Sequence, residues 1–150
     1  MPFTIKKLNA GEADLAKKLF CFFQTDDGIT DPVIPSDEYI KTLLARDDFH
    51  VIVALKNNGL VGGLTAYELE MYKAEIKEMF LYEIAVEIKY RKMGVAKALI
   101  EFLKDIAKNS GMREMYVGTS TNNNAAINLY KSTGGEVEAG IAWFVYQLNQ

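Results

Sequence analysis

Apolar positions along this chain recur at two spacings, every second residue or every third to fourth, and the switches between them mark out its elements. Residues 3–8 read as a first strand. Asn9-Ala10-Gly11-Glu12 then leads into a helix on which Leu15, Leu19, Phe22 and Phe23 form one face, suited to packing on a sheet. Residues 24–38 carry Asp26, Asp27, Asp31, Asp37 and Glu38 without Lys or Arg, broken by Gly28, Pro32 and Pro35, which is the pattern of an acidic loop. Ser36 is placed to cap a second helix with Tyr39, Ile40, Leu43 and Leu44 as its buried stripe, ending near Arg46-Asp47-Asp48. Residues 51–55 and 60–67, joined by Asn57-Asn58-Gly59, predict a β-hairpin with its turn at Asn-Gly. A strand follows at 78–86, then a loop at 87–93. Val95, Leu99, Phe102, Leu103 and Ile106 mark a long amphipathic helix, stopped near Asn109-Ser110-Gly111. A strand at 113–118, a helix at 123–133 and one or two closing strands over 136–148 complete the pattern.

At 150 residues, with 49% hydrophobic and 25% charged positions, the chain can bury one core, so a single domain over 1–150 is expected. The balance of 17 basic against 20 acidic residues gives −3 and lacks the positive field that nucleic-acid phosphates require. One Cys, Cys21, and one His, His50, allow neither an intramolecular disulfide nor a Cys/His-rich zinc site, and no metal is expected. His50, at the start of an apolar strand, reads as a strand-edge or core histidine, and Cys21 as a packing residue. No run approaches the ~20 apolar residues of a membrane span, and the N-terminus lacks a secretory pattern, so the cytoplasm is the expected compartment.

The most informative stretch is Leu81-Tyr82-Glu83-Ile84-Ala85-Val86, a polar turn, and Arg91-Lys92-Met93-Gly94-Val95-Ala96 opening the long helix. A strand, tight loop and helix N-terminus in succession aim unpaired backbone N–H groups and the positive helix end at one spot, where a phosphate or pyrophosphate can be held. Gly94 lets the backbone approach an anion, and Arg91 and Lys92 add positive charge. Neither the ATP-type phosphate loop nor the dinucleotide fingerprint fits this stretch. Alone, it equally suits an ordinary helix start.

Beyond the next strand, Asn123-Asn124-Ala125-Ala126-Ile127-Asn128-Leu129-Tyr130-Lys131-Ser132-Thr133-Gly134 contains Asn-x-x-Ala-x-x-x-Tyr-x-x-x-Gly. Together with the strand and the Arg-x-x-Gly-x-Ala turn, it resembles the acetyl-CoA-binding core of the GNAT superfamily of N-acetyltransferases. The resemblance implies an α/β fold (α+β in some schemes), a mixed, mostly antiparallel sheet flanked by about four helices. Pro35-Ser36-Asp37-Glu38-Tyr39 with Leu43-Leu44, and Tyr82-Glu83-Ile84-Ala85-Val86, further resemble type I aminoglycoside 3-N-acetyltransferases over most of the chain. Two departures are Glu83, where that family has Asp, and Gly135, where GNAT proteins commonly place an aromatic.

Residue by residue, the resemblance implies that Arg91, Lys92, Met93, Gly94, Val95 and Ala96 bind the pyrophosphate of acetyl-CoA. Ile84, Ala85 and Val86 pair with its pantetheine arm where two strands separate, and Asn123 contacts it from the following helix. Strand alternation sets Leu81, Glu83 and Ala85 on one face and Tyr82, Ile84 and Val86 on the other. Glu83 is the candidate base that takes a proton from a cationic amine; its alternatives are an ion pair or a solvated edge. Tyr130, cofactor contact and candidate acid, carries a phenol of pKa near ~10, still protonated when a thiolate of pKa near ~8.5 departs. Its alternative is a core aromatic beside Ala126 and Leu129.

Asp26, Asp27 and Asp31, with Glu68 and Glu70 after the hairpin strand, suit attraction of a polycationic acceptor, or else are solvated surface carboxylates. The expected function is acetyl transfer to a small-molecule amine, an aminoglycoside first and a polyamine or other metabolite amine second. A lysine-bearing protein substrate is a weaker option, and a non-catalytic acetyl-CoA sensor is the alternative of another class. Trp143, with Ile141, Phe144, Val145 and Tyr146, suits a closing strand in the core or at a dimer interface, and the resemblance favours a homodimer.

Overall fold

The computed structural model describes residues 3–149, which group into two compact units dividing after Gly118. In the first, β1 (Thr4–Lys7), β2 (Phe49–Lys56), β3 (Gly59–Glu70), β4 (Lys77–Val86) and β5 (Met115–Tyr116) form one sheet in the order β1-β2-β3-β4-β5. Every pairing is antiparallel except β4–β5, which is parallel. Helices α1 (Ala13–Asp26), α2 (Asp37–Leu44) and α3 (Val95–Asn109) belong to the same unit, and α4 (Asn124–Ser132) to the second. The sheet is thus mixed and mostly antiparallel with four helices, as the sequence implies.

Local signals set most boundaries. Asn9 and Glu12 form a capping box at the entry to α1: the Gly11 N–H donates to the Asn9 side chain at 2.9 Å and the Asn9 N–H to Glu12 at 3.1 Å. Ser36 accepts from the Tyr39 N–H at 3.2 Å and starts α2. The hairpin turn is centred on Asn57-Asn58, one residue before the expected Asn-Gly. Both residues are left-handed, with φ of 51° and 64°, as a two-residue turn matched to strand twist requires. α3 ends at Gly111, φ 79°, where Met112 N–H returns to the Ala107 carbonyl at 3.0 Å.

The apolar run of β2 is buried on both faces. Val51 and Val53 join Leu19, Phe23, Ile40 and Leu44 in the core beneath α1 and α2, and Leu19 lies over Gly63 of β3. α3 buries Val95, Leu99, Ile100, Leu103 and Ala107 and packs on β1 through β4.

Several expectations are corrected. α1 continues through Asp26, so the acidic segment begins inside a helix. Tyr39 is 58% exposed, because Ile40 and Leu44 one helical turn apart supply the buried contact of this short helix. On α3 the buried stripe is turned toward Ile100 and Ala107, leaving Phe102 and Ile106 half-buried. The strand expected over 113–118 is only Met115–Tyr116. No strand occurs among the described residues after Tyr116, although 136–148 was expected to supply one or two. A strand needs a ladder partner for its backbone groups, and residues 136–149 make none; Trp143, Phe144 and Tyr146 are exposed there.

His50 is buried in β2, only 3% exposed. Its Nε2 lies 2.5 Å from Glu68, which Lys77 also approaches at 3.5 Å, while its Nδ1 has no hydrogen-bond partner. Burial, aided by the charge of Lys7, lowers the imidazole pKa against the opposing pull of Glu68 and Asp48. The unfolded chain therefore binds this proton more readily than the folded one. Stability from this group is complete above the unfolded value of about 6.5 and is lost as pH falls below it. Urea unfolding from pH 7.5 to 5 should show a loss in wild type that His50→Phe reduces; equal losses in both would exclude His50 as the cause.

Candidate active site

The site is built where β3, β4 and the end of α1 meet. β3 pairs regularly with β4 from Gly62↔Val86 to Thr65↔Glu83, then skips Tyr82 to resume at Ala66↔Leu81. This bulge corrects the expected alternation. Leu81 and Val86, which an uninterrupted strand would place on opposite faces, are both buried, and the Tyr82 ring reaches Tyr67 at 5.8 Å. Tyr67 in turn packs at 4.9 Å on Phe49 of the core beneath α1. Tyr82 and Glu83 consequently emerge together on the α1 face.

Glu83 is half-buried there. Its carboxyl is held above the usual carboxylate range, first by burial, then by the charge and hydrogen bond of Asp27 and the charge of Asp26. Asp26 and Asp27 come from the last turn and cap of α1, whose chain reverses at Gly28, φ 88°. Two links hold that end. Gln24 clasps Val33, donating to its carbonyl at 2.8 Å and accepting from its N–H at 2.9 Å. Arg91 donates from Nε to the Val86 carbonyl at 2.9 Å and from its guanidinium to Asp26 at 3.0 Å. Phe22, Thr25, Asp26, Glu87, Ile88 and Lys89 line a shallow depression beside this link.

Sequence reasoning missed an aromatic row next to Glu83. Beyond the Tyr67–Tyr82 contact, Tyr82 meets Phe80 edge-on at 5.8 Å, and Phe80 stacks on Tyr116 at 5.2 Å. Tyr67, Tyr82 and Tyr116 are 37%, 59% and 40% exposed, so the row is open to solvent. Only the strand register brings these rings together, and no spacing along the chain announces them.

The residues expected to hold acetyl-CoA fit it in two respects. β5 pairs with β4 only at Met79 and Phe80, so among the described residues Glu83–Val86 have no strand partner on that edge. That edge of Ile84, Ala85 and Val86 is therefore open to an extended ligand, except at the Val86 carbonyl, which Arg91 already occupies. The second is the start of α3. Ser36 caps α2 and Asn123 caps α4, but no side chain caps α3, whose first N–H groups are left for an anion. Gly94 there has φ 84°, Lys92 has φ 62°, and a Cβ at Gly94 would meet nothing within 4 Å. Met93, Val95 and Ala96 follow the same turn. The Arg91 side chain, by contrast, is engaged with Val86 and Asp26.

The other candidates are dispersed. Asp31 is exposed in the loop, Glu70 is exposed at the end of β3, and Glu68 is tied to His50 and Lys77. In the second unit, Asn123 accepts from the Ala126 N–H at 3.1 Å. Burial raises the Tyr130 phenol above its ordinary value, which keeps its proton at neutral pH. Gly135 donates to the Tyr130 carbonyl at 2.8 Å, and a Cβ there would lie 2.9 Å from that oxygen, which accounts for glycine at this position. Among the described residues no three His, Cys, Asp or Glu are grouped to hold a metal ion, and no helix is long and apolar enough to cross a membrane.

Comparison with known proteins agrees with this fold. An aminoglycoside acetyltransferase, meta-AAC0020, from an uncultured soil metagenomic sample superposes with a TM-score of 0.92 at 29% identity, covering 98% of this chain and 97% of that one. It was crystallised with trehalose and with sisomicin. AAC(6')-Iy in complex with a bisubstrate analogue, CoA-S-monomethyl-acetylneamine, shares the fold at a TM-score of 0.81 and 21% identity, over 99% of this chain and 100% of its own. Probable N-acetyltransferase 14 of Xenopus tropicalis is 37% identical over 70 residues, 47% of this chain and 34% of that protein. The chain spans about a third to a half of the length of the curated relatives it matches first. The acetyltransferase (GNAT) family, whose members use acetyl-CoA, matches residues 16–134, and the chain belongs to it.

Proposed function

We propose that this protein transfers an acetyl group from acetyl-CoA to a primary amine of a small polycationic acceptor, an aminoglycoside in first place, at the 3-amino position. The observation that carries the reading is Glu83: a half-buried carboxyl of raised proton affinity, just past the last β4–β5 pair and beside exposed aromatic rings. When bound, acetyl-CoA supplies a thioester whose carbonyl carbon accepts the amine nitrogen as the thiolate leaves.

In this reading the chain binds and orients the donor through the α3 N-terminus, from Arg91 to Ala96, and the free edge Ile84–Val86, with Asn123 as a further contact. The aromatic row offers a floor for a sugar ring or a cation. Asp27 and Glu83 draw the ammonium in, and Glu83 takes its proton, leaving a nucleophilic lone pair. Tyr130, protonated at neutral pH, donates a hydrogen bond or a proton to the departing sulfur. Asp26 and Asp31 add long-range attraction, whereas Glu68 and Glu70 belong to this reading only through their charge. The aminoglycoside preference is supported by the likeness to meta-AAC0020 over nearly the whole chain. The 3-amino position rests on the sequence resemblance. The same reading keeps a cytoplasmic setting and a second copy of the chain as partner.

The test is CoA thiol release with sisomicin, spermine and a lysine-containing peptide, with mass spectrometry of each product. Sisomicin should turn over fastest, modified at its 3-amino group. Transfer to spermine or the peptide alone would overturn the aminoglycoside assignment. Heat stabilisation by acetyl-CoA without transfer to any of the three would favour a sensor.

A further inference from the structure

Residues 141–148, Ile-Ala-Trp-Phe-Val-Tyr-Gln-Leu, have the composition of a strand and are paired with nothing. Ile141, Trp143 and Val145 fall on one parity, Phe144, Tyr146 and Leu148 on the other, so a strand here is apolar on both faces. β2, buried on both faces of the sheet, has the same character. Yet all six of these side chains are exposed, and no backbone group of residues 136–149 makes a backbone hydrogen bond among the described residues. Contiguous apolar surface of this kind marks an interaction site. Trp143, Phe144 and Tyr146 are 79%, 80% and 84% exposed. At ~150–250 Å² each, and with the three aliphatic neighbours, they bring the apolar area open to burial roughly to the ~800 Å² per partner of a standard interface.

The sheet has a matching vacancy. β5 stands at its edge, pairing with β4 through Met79↔Met115 and Phe80↔Tyr116 and with no strand on its other side. The residues there, Met115-Tyr116-Val117-Gly118, carry no charge. The opposite edge, β1, ends in Lys6 and Lys7, and lysine on an edge discourages an added strand. An unpartnered strand and an uncharged open edge thus occur in the same chain, so any two copies hold both halves of the pairing.

We propose that residues 141–148 of one copy add as a strand to the β5 edge of a second copy, and the reverse, so that two chains complete each other's sheets. Such an exchange is two-fold symmetric and stops at two copies. It names the surface by which the second copy of the proposed function is held. It also reaches the candidate acceptor site, because Tyr116 ends the aromatic row. Side chains on neighbouring strands stand about 5 Å apart, and both parities of the added strand are apolar. The row in each copy is then continued by a side chain of the other.

The test needs no substrate, so its failure is separate from any failure of the acceptor assignment. Light scattering on the full chain should give twice the 16.8 kDa of one chain. Amides of residues 141–148 should exchange slowly with deuterium. Labelled and unlabelled chains refolded together should show isotope-filtered NOEs between residues 115–118 of one and 141–148 of the other. A double variant, Trp143→Asp with Phe144→Asp, places one charge on each parity at positions exposed in the single chain, and should raise the dimer Kd by at least ~100-fold. A single-chain mass with fast exchange at 141–148 overturns the proposal. So do NOEs confined to one chain, which would mean that the segment completes its own sheet, and a dimer whose cross-chain NOEs join the two segments to each other but not to β5.

Discussion

Glu83→Gln is expected to lower kcat at pH 7 by roughly 10²- to 10⁴-fold, the range that general-base removal ordinarily costs. The amide is close to isosteric and keeps the half-buried position, so folding and acetyl-CoA binding should survive. Calorimetric binding of acetyl-CoA beside steady-state rates would separate the two effects. The pH profile carries a further signature. Because burial and the Asp26–Asp27 charges raise the Glu83 pKa, wild-type kcat/KM should fall on the acid side at a pH above the ordinary carboxylate range, and the residual Gln rate should lack that limb. A Gln variant within threefold of wild type would transfer the base role elsewhere.

Gly62→Ala is expected to be strongly destabilising for a change of a single methyl group. A Cβ at Gly62 would lie 2.6 Å from the Ala85 carbonyl oxygen and 3.0 Å from the Val86 Cα, both backbone atoms of the neighbouring strand. Neither can rotate away, so β3 and β4 must separate. Overpacking of this kind costs about 1–3 kcal/mol, against which the reduced freedom of the unfolded chain returns only about 0.4–1 kcal/mol. A melting temperature lowered by on the order of 5 °C should result. Ala85 and Val86 also belong to the edge proposed to pair with the pantetheine arm, so KM for acetyl-CoA should rise in the fraction that folds. Calorimetric melting and donor-dependent rates test both parts, and an unchanged melting temperature would mean that the strands yield without cost.

What the sequence makes legible here is what neighbours along the chain decide. The helix starts after Asn9–Glu12 and near Asn123, the Ser36 cap and the asparagine turn each depend on residues within a few positions and stand about where expected, whereas the stripe of α3 is rotated toward Ile100 and Ala107 by what it packs on. The uncapped start of α3 after Gly94 is legible for the same reason. The remainder depends on strands and helices meeting. The bulge at Tyr82 belongs to the pairing of β3 with β4, and the aromatic row exists only in that register. The partners of Arg91 and Glu68 lie on other elements, so charge type alone suggested phosphate for one and acceptor for the other. Residues 136–148 show the limit from the opposite side: a strand-like apolar pattern specifies no strand without a ladder to join.

The unpaired Tyr82 is a residue the ladder can do without. Substituting its ring changes one member of the aromatic row and leaves the strand in phase. Deleting it leaves Thr65↔Glu83 and Ala66↔Leu81 as consecutive pairs, so the ladder becomes regular and the flanking side chains keep their faces. Relatives that lack this residue would keep a carboxylate facing α1 and lose the ring beside it.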